Sequence, residues 1–252
     1  MSIRLYTLFK REVWQFFKYA NDTLLEPVVS VLLFLAAFSM GIGSAVGKIG
    51  NLTYIEYIAP GLIMMTVLQN IFYNPSISIM VAKMEGRLHD LIMPPFSPYE
   101  QVMGLAGGGI VRGLVVVVVV SLALTPFVSV WPEHLGLALL YVLISGFLLS
   151  LIGILVGIVA GTFDQLMAYA LYLITPLSYL SAAFFPNSAL PESWQCVNEF
   201  NPFYYMIDGY RYALTGQAEA DITVGLVYLA GLCAFFYAIV HHIFAIGWRL
   251  KT

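Results

Sequence analysis

The sequence predicts an all-α integral membrane protein of six transmembrane helices, with an amphipathic interfacial helix in front and re-entrant helices before the last span. Three observations predict it. Only 10% of the 252 residues are charged and 60% are hydrophobic, whereas soluble domains carry about 25% charged residues, so this chain cannot build a water-facing surface. Six stretches, 27–47, 57–82, 113–132, 135–163, 165–191 and 222–248, contain no Asp, Glu, Lys or Arg, and each reaches the roughly 20 residues that cross a ~30 Å hydrocarbon core. With no water there to satisfy backbone groups, each crossing has to be helical. The third observation is a helical period over residues 4–22. Arg4, Thr7, Arg11, Gln15, Lys18 and Asp22 fall on one side, and Leu5, Leu8, Phe9, Val13, Phe16, Phe17 and Ala20 fill the other.

Taken in order, residues 1–25 read as a basic amphipathic helix lying in the headgroup plane. The first apolar run begins only after Pro27, behind Arg4, Lys10, Arg11 and Lys18, which is not the layout of a cleavable signal peptide. The spans are expected at 27–47, 57–82, 104–126, 135–160, 166–185 and 222–247, within a single domain covering 1–252. Lys and Arg orient them. With the amino terminus inside, the inner segments hold Arg4, Lys10, Arg11, Lys18, Lys83, Arg87, Arg112, Arg249 and Lys251, and the outer ones hold only Lys48 and Arg211. Both termini are therefore expected on the cytoplasmic face. The longest inner connection, 83–103, is charged and proline-rich, and a short inner turn lies at 162–165. The outer connection, 186–221, carries Phe200, Phe203, Tyr204, Tyr205, Met206, Tyr210 and Tyr212. Aromatic rings favour the headgroup level, so this segment reads as re-entrant or interfacial helices. Within it Arg211 is expected either to sit at the interface or to pair with an acid, Asp208, three residues away, or Glu199.

Chemistry-bearing motifs are sparse. Gly43-Ser-Ala-Val-Gly47-Lys48 superficially resembles a phosphate-binding loop, but Ile42 and Ile49 stand where that loop needs Gly and Ser or Thr. ATP hydrolysis is not expected of this chain. Cys196 and Cys233 have no ligand spacing and read as unpaired. The adjacent His241 and His242 point about 100° apart on a helix, so they cannot chelate one metal, and His89-Asp90 reads as a solvated face. No catalytic set can be assembled. Small residues recur at four-residue spacing in Gly153, Gly157 and Gly161, and in Gly104–Gly108 and Gly109–Gly113; such rows let helices approach closely, either inside the bundle or at a dimer seam. Polar residues inside the second span, Gln69, Asn70, Tyr73 and Asn74, are either interhelical hydrogen bonds or a pathway.

Several stretches resemble a known family. They are Ala82-Lys-Met-Glu-Gly-Arg-Leu-His-Asp-Leu-Ile-Met-Pro-Pro95 with Gly107-Gly-Gly-Ile-Val-Arg-Gly113, and Leu190-Pro-Glu-Ser-Trp-Gln195 with Asn201-Pro-Phe-Tyr-Tyr205 and Gly209-Tyr-Arg-Tyr212. Gly161-Thr-Phe-Asp164 and Pro176-Leu-Ser-Tyr-Leu-Ser181 join them. In this order the chain is similar to the ABC-2-type transporter permeases, the membrane-spanning subunits of ABC exporters in the bacterial inner membrane. The resemblance implies a homodimer of permeases with two copies of a separate ATPase subunit, which binds the ATP and Mg; no cofactor is implied for this chain. It also implies that Glu85, Gly86, Arg87, Leu88, Asp90 and Leu91 form a helix that couples to the ATPase, and that the segment holding Asn201, Pro202, Tyr205 and Arg211 is re-entrant. An aromatic- and methionine-rich, weakly charged interior suits a lipid-like or amphipathic substrate, and glycan permeases share the family. Membrane lipid is an expected partner and nucleic acid is not. The rival readings are an integral-membrane lipid-modifying enzyme and a passive scaffold subunit.

Overall fold

The computed structural model describes residues 3–18, 20–43, 47–86 and 97–248. Helix α1 (Ile3–Lys18) is followed by α2 (Ala20–Phe38), which continues through a π turn at Ser39–Gly43. A small antiparallel hairpin, β1 (Lys48–Ile49) and β2 (Leu52–Thr53), pairs Lys48 with Thr53. Three long helices come next: α3 (Tyr54–Met84), α4 (Pro98–Leu124) and α5 (Leu135–Val159). After them run α6 (Phe163–Tyr169), a π turn at Ala170–Ile174 and α7 (Thr175–Tyr179). A 3-10 turn at Asn187–Ala189, then α8 (Glu192–Glu199) and α9 (Pro202–Thr215), lead to α10 (Ile222–Ile246).

Among the described residues, five helices are long and apolar enough to cross a membrane: Thr23–Gly41, Tyr54–Met84, Pro98–Leu124, Leu135–Val159 and Ile222–Ile246. The expected span at 166–185 takes another form. Its helical part consists of pieces of 7, 5 and 5 residues that end at Tyr179, about 25 Å at 1.5 Å per residue. Residues 180–185 then turn back onto α3. A Cβ on Gly61 would lie 2.8 Å from the Ala183 carbonyl oxygen, and Ala182, at φ 57, is the one described non-glycine residue with positive φ.

Local chemistry sets the helix starts. Thr53 and Glu56 form a reciprocal capping box at the head of α3, and Ser97 and Glu100 form one at the head of α4, with Pro98 in its first turn. Helix α3 is the hub, packing on α2, α4, α5 and α9; Ile58, Ile63, Met64, Leu68, Ile71 and Phe72 are completely buried. Pro75 removes the N–H that would bond the Ile71 carbonyl, and the neighbouring helices approach closely at that point. A Cβ on Gly109 of α4 would sit 3.3 Å from Ile71 O, and one on Gly153 of α5 would sit 2.5 Å from Phe72 O.

The glycine rows, apart from exposed Gly161, therefore pack inside the chain. Gly153 and Gly157 seat α5 on α3, and Gly109 and Gly113 seat α4 on Ser150 and Ile71. Gly104 and Gly108 receive α1, where added Cβ atoms would fall 2.6 Å from Leu8 Cδ2 and 2.4 Å from Glu12 Cβ. Part of the side of α1 assigned to the headgroup plane is thus packed on α4. Leu8, Glu12 and Phe16 are its buried stripe, one residue per turn. Glu12 Oε1 accepts from Ser78 Oγ at 2.9 Å and from Arg11 at 2.6 Å.

Candidate functional site

A cavity of about 390 Å³ opens between α2, α3, α4 and the α6–α7 run. Glu26, Ser30 and Phe34, one turn apart each, form its α2 wall, while α3 contributes a stripe from Leu62 through Gln69, Asn70 and Tyr73 to Ile77. Gln69, Asn70 and Tyr73, three of the four expected pathway residues, share this wall. Asn74 is not among the lining residues. Its Nδ2 lies 3.3 Å from where a Gly108 Cβ would be, towards α1 and α4, and has no hydrogen-bond partner among the described residues.

The lining also contains a cation that sequence reasoning misplaced. Arg112 stands midway along the 27-residue α4, inside the expected span 104–126, although the charge count grouped it with the inner segments. Its Nη2 donates to Asn70 Oδ1 at 2.8 Å, its Cζ lies 5.8 Å from the centroid of the Phe16 ring, and its Nε has no partner among the described residues. The signal that places it was present in Ser97-Pro98-Tyr99-Glu100, a helix-start pattern well before the charge-free run begins.

The second polar cluster is built around Arg211, which is 1% exposed like its partner Asp208. The two pair at 3.0 Å, as their helical spacing predicts. Arg211 Nε donates to Tyr57 O at 3.3 Å, Nη2 donates to Ala182 O, and Cζ lies 4.0 Å from the centroid of the Tyr57 ring. Asp208 Oδ2 accepts from the amides of Glu219 and Ala220 at 3.0 and 2.9 Å. Burial pushes the Asp208 carboxyl up, against the pull of the Arg211 charge and these amides. The Tyr57 hydroxyl donates to Glu219 Oε1 at 2.6 Å, and Glu219 Oε2 accepts from Asn187 N at 2.7 Å. This network ties α3, the 180–185 turn, α9 and the loop before α10 together.

The other residues expected in the 186–221 segment serve separate contacts. Asn201 caps α9 through Phe203 N at 3.0 Å and donates to Leu177 O at 2.8 Å, with Pro202 in the first turn. Tyr205 lies against Tyr228 of α10, ring centroids 5.2 Å apart. At the other end of the bundle, Gly86 at φ 68 follows the last turn of α3 beside exposed Glu85, and Lys83 Nζ donates to Ala160 O at 2.9 Å. Arg87, Leu88, Asp90 and Leu91 lie outside the described residues. Among the described residues no group of three or more His, Cys, Asp or Glu is placed to hold a metal ion.

Comparison with known proteins covers most of the chain. Residues 3–215 match the family described as ABC-2 type transporter. Inner membrane transport permease YadH of Escherichia coli (strain K12) is 31% identical over 250 residues, 99% of this chain and 98% of that protein. Nodulation protein J of Rhizobium leguminosarum bv. trifolii is 26% identical over 233 residues, 88% of this chain and 85% of that one. Nodulation protein J of Rhizobium meliloti (strain 1021) is 26% identical over 230 residues, 86% and 82% respectively. A match of that extent, on a bundle of apolar helices with a polar cavity among them, leads to one conclusion: the chain belongs to the ABC-2 type transporter family.

Proposed function

We propose that this chain is the membrane-spanning permease subunit of an ABC exporter in a bacterial inner membrane, moving a lipid-like, amphipathic or glycan substrate. The observation that carries the reading is similarity to an inner membrane transport permease along 99% of the chain. The cavity supports it, because polar and charged side chains at membrane depth mark pathways when they face a bundle interior. Hydrolysis of ATP is assigned to a separate ATPase, two copies of which meet two copies of this chain. In this reading the α6–α7 run with its following turn serves as the sixth crossing, and α8 and α9 are re-entrant. The termini and the 83–103 connection face the cytoplasm. With Arg112 removed from the inner count, eight Lys and Arg inside still stand against two outside.

The mechanism asks the 83–103 segment to carry force between subunits. Leu88 and Leu91 supply an apolar anchor, and Glu85, Arg87 and Asp90 a charged rim that steers association. A shift there biases a bundle with two arrangements, since an equilibrium moves only through differential affinity for its states. The test is co-purification of the ATPase and its hydrolysis in reconstituted vesicles. Leu91→Asp is expected to release the ATPase or uncouple its turnover, and Glu85→Gln to show only salt-sensitive assembly. Wild-type behaviour of Leu91→Asp on both counts would overturn the coupling role. For orientation, Asn51→Cys, Asn187→Cys and Thr215→Cys are expected to label from outside intact cells and Ser97→Cys is not; external labelling of Ser97→Cys reverses the topology.

A further inference from the structure

The cavity holds charges of both signs that do not neutralise each other by contact. Arg112 and Glu26 both line it, close enough for the Glu26 charge to act on Arg112 and on Tyr73. Yet they form no direct ion pair with each other. Arg112 spends one nitrogen on Asn70 and leaves Nε without a partner among the described residues. A guanidinium presents a planar fork suited to the oxygens of a phosphate or carboxylate, while a carboxylate accepts from an ammonium. The walls are also graded. Along α2, Glu26 gives way one turn at a time to Ser30 and Phe34, and along α3 the polar run Tyr73, Asn70, Gln69 and Thr66 is followed by Met65 and Leu62, with Ile77 beyond Tyr73. The α2 wall is charged at Glu26 and apolar at Phe34, which lies with Met65 and Leu62 among the lining.

We propose that this cavity binds the zwitterionic headgroup of an amphiphile, its anionic group on Arg112 and its ammonium group on Glu26, with the chain lying towards Phe34 and Met65. The inference rests on the transport reading and narrows its substrate class. A purely anionic head leaves Glu26 facing like charge, and a neutral head leaves both charges unanswered, most costly at Arg112 within the bundle. Two opposite charges lining one cavity, out of ion-pair contact with each other, are what a head carrying both signs requires.

The test is binding of dioctanoyl phosphatidylethanolamine, dioctanoyl phosphatidylglycerol and dioctanoylglycerol to the purified full chain, by native mass spectrometry. The zwitterionic lipid is expected to bind at least about tenfold tighter than either of the others, the factor that one charge-assisted hydrogen bond supplies. Arg112→Gln should weaken both phospholipids, leaving phosphatidylethanolamine only its contact with Glu26 and phosphatidylglycerol none that favours it. Glu26→Gln, at an exposed position, should erase the preference for phosphatidylethanolamine over phosphatidylglycerol. Equal ranking of the three lipids by the wild type overturns the proposal, and so does an unchanged preference in Glu26→Gln. Head-selective binding by a chain that captures no ATPase breaks the transport reading and leaves the site standing. A coupled ATPase complex without head selectivity does the reverse. Stimulation of ATP hydrolysis by the bound lipid marks cargo, and binding without stimulation marks a bilayer lipid held by the same head chemistry.

Discussion

Arg112 and Arg211 both stand on helices of one bundle, and what differs is the company each guanidinium keeps. Arg211 is closed in by a carboxylate, two backbone carbonyls and the face of Tyr57. Its donors are largely used, and the acid beside it is itself held by two amides. Arg112 has one amide contact, a ring at 5.8 Å and open cavity in front. A buried ion adds to a fold only when its partners offset the loss of water. Arg211 meets that condition from within the chain, so its role is to hold α9 against α3. Arg112 meets it only in part: Nε is buried without a partner among the described residues, while the side chain lines the cavity.

The largest expected effect breaks the satisfied member. Arg211→Ala strands Asp208 at 1% exposure with no counter-charge, and removing one partner of a buried pair costs about 3–5 kcal/mol. Folded yield in size-exclusion chromatography and the thermal midpoint in detergent should both fall sharply. Arg211→Lys should recover part of the loss, because a lysine restores the charge without the fork. Adding Asp208→Asn to Arg211→Ala should also recover part, by removing the stranded charge. Wild-type yield and midpoint for Arg211→Ala would reduce the network to a surface anchor.

A smaller change probes the rim of the same network. Tyr57→Phe keeps the ring under Arg211 and removes the hydroxyl that donates to Glu219 at 2.6 Å. Hydrogen bonds between helices in membrane proteins are worth about 0.6–2 kcal/mol, so a modest drop in the midpoint is expected. A loss as large as that of Arg211→Ala would move the centre of the network from the ion pair to Glu219.

The two arginines were not equally legible in the sequence. Arg211 could be paired from spacing alone, because Asp208 is a helical neighbour three residues away. Arg112 fell inside the expected span 104–126 yet was counted with the inner charges, because charge-free runs mark where charges stop, not where helices begin. The Ser97–Glu100 capping box marks the true start, and only the folded chain shows which face of α4 the cation takes. The same limit hid Glu12. Its position on the helical period could be read, but an acid inside the buried stripe makes sense only once Ser78 of α3 is found beside it. Spans with uniform apolar runs were easy to read because length and composition decide them. The 166–185 stretch has the composition of a span, and hydropathy does not encode the π turn or the early end at Tyr179. The glycine rows announced close approach, while their partners in α1 and α3 lie far away in the chain.

The smallest expected change in stability belongs to Arg112→Gln, and it separates the two arginines most sharply. Glutamine keeps a donor for Asn70 and much of the side-chain length, and it removes the charge from a cavity where the arginine has no direct ion pair among the described residues. Only one hydrogen bond is at stake, so the midpoint should shift by about 1 kcal/mol or less. If the cation faces cargo, the functional loss should be out of proportion to that shift: assembly with the ATPase intact, basal hydrolysis intact, and stimulation by amphiphile lost. If the cation is structural, stability and stimulation should fall together, as for Arg211→Ala. Thermal midpoints and stimulated hydrolysis measured on the same preparations and plotted against each other place Arg112→Gln, in the structural case, on the line through the wild type and Arg211→Ala. In the ligand case Arg112→Gln falls well off that line.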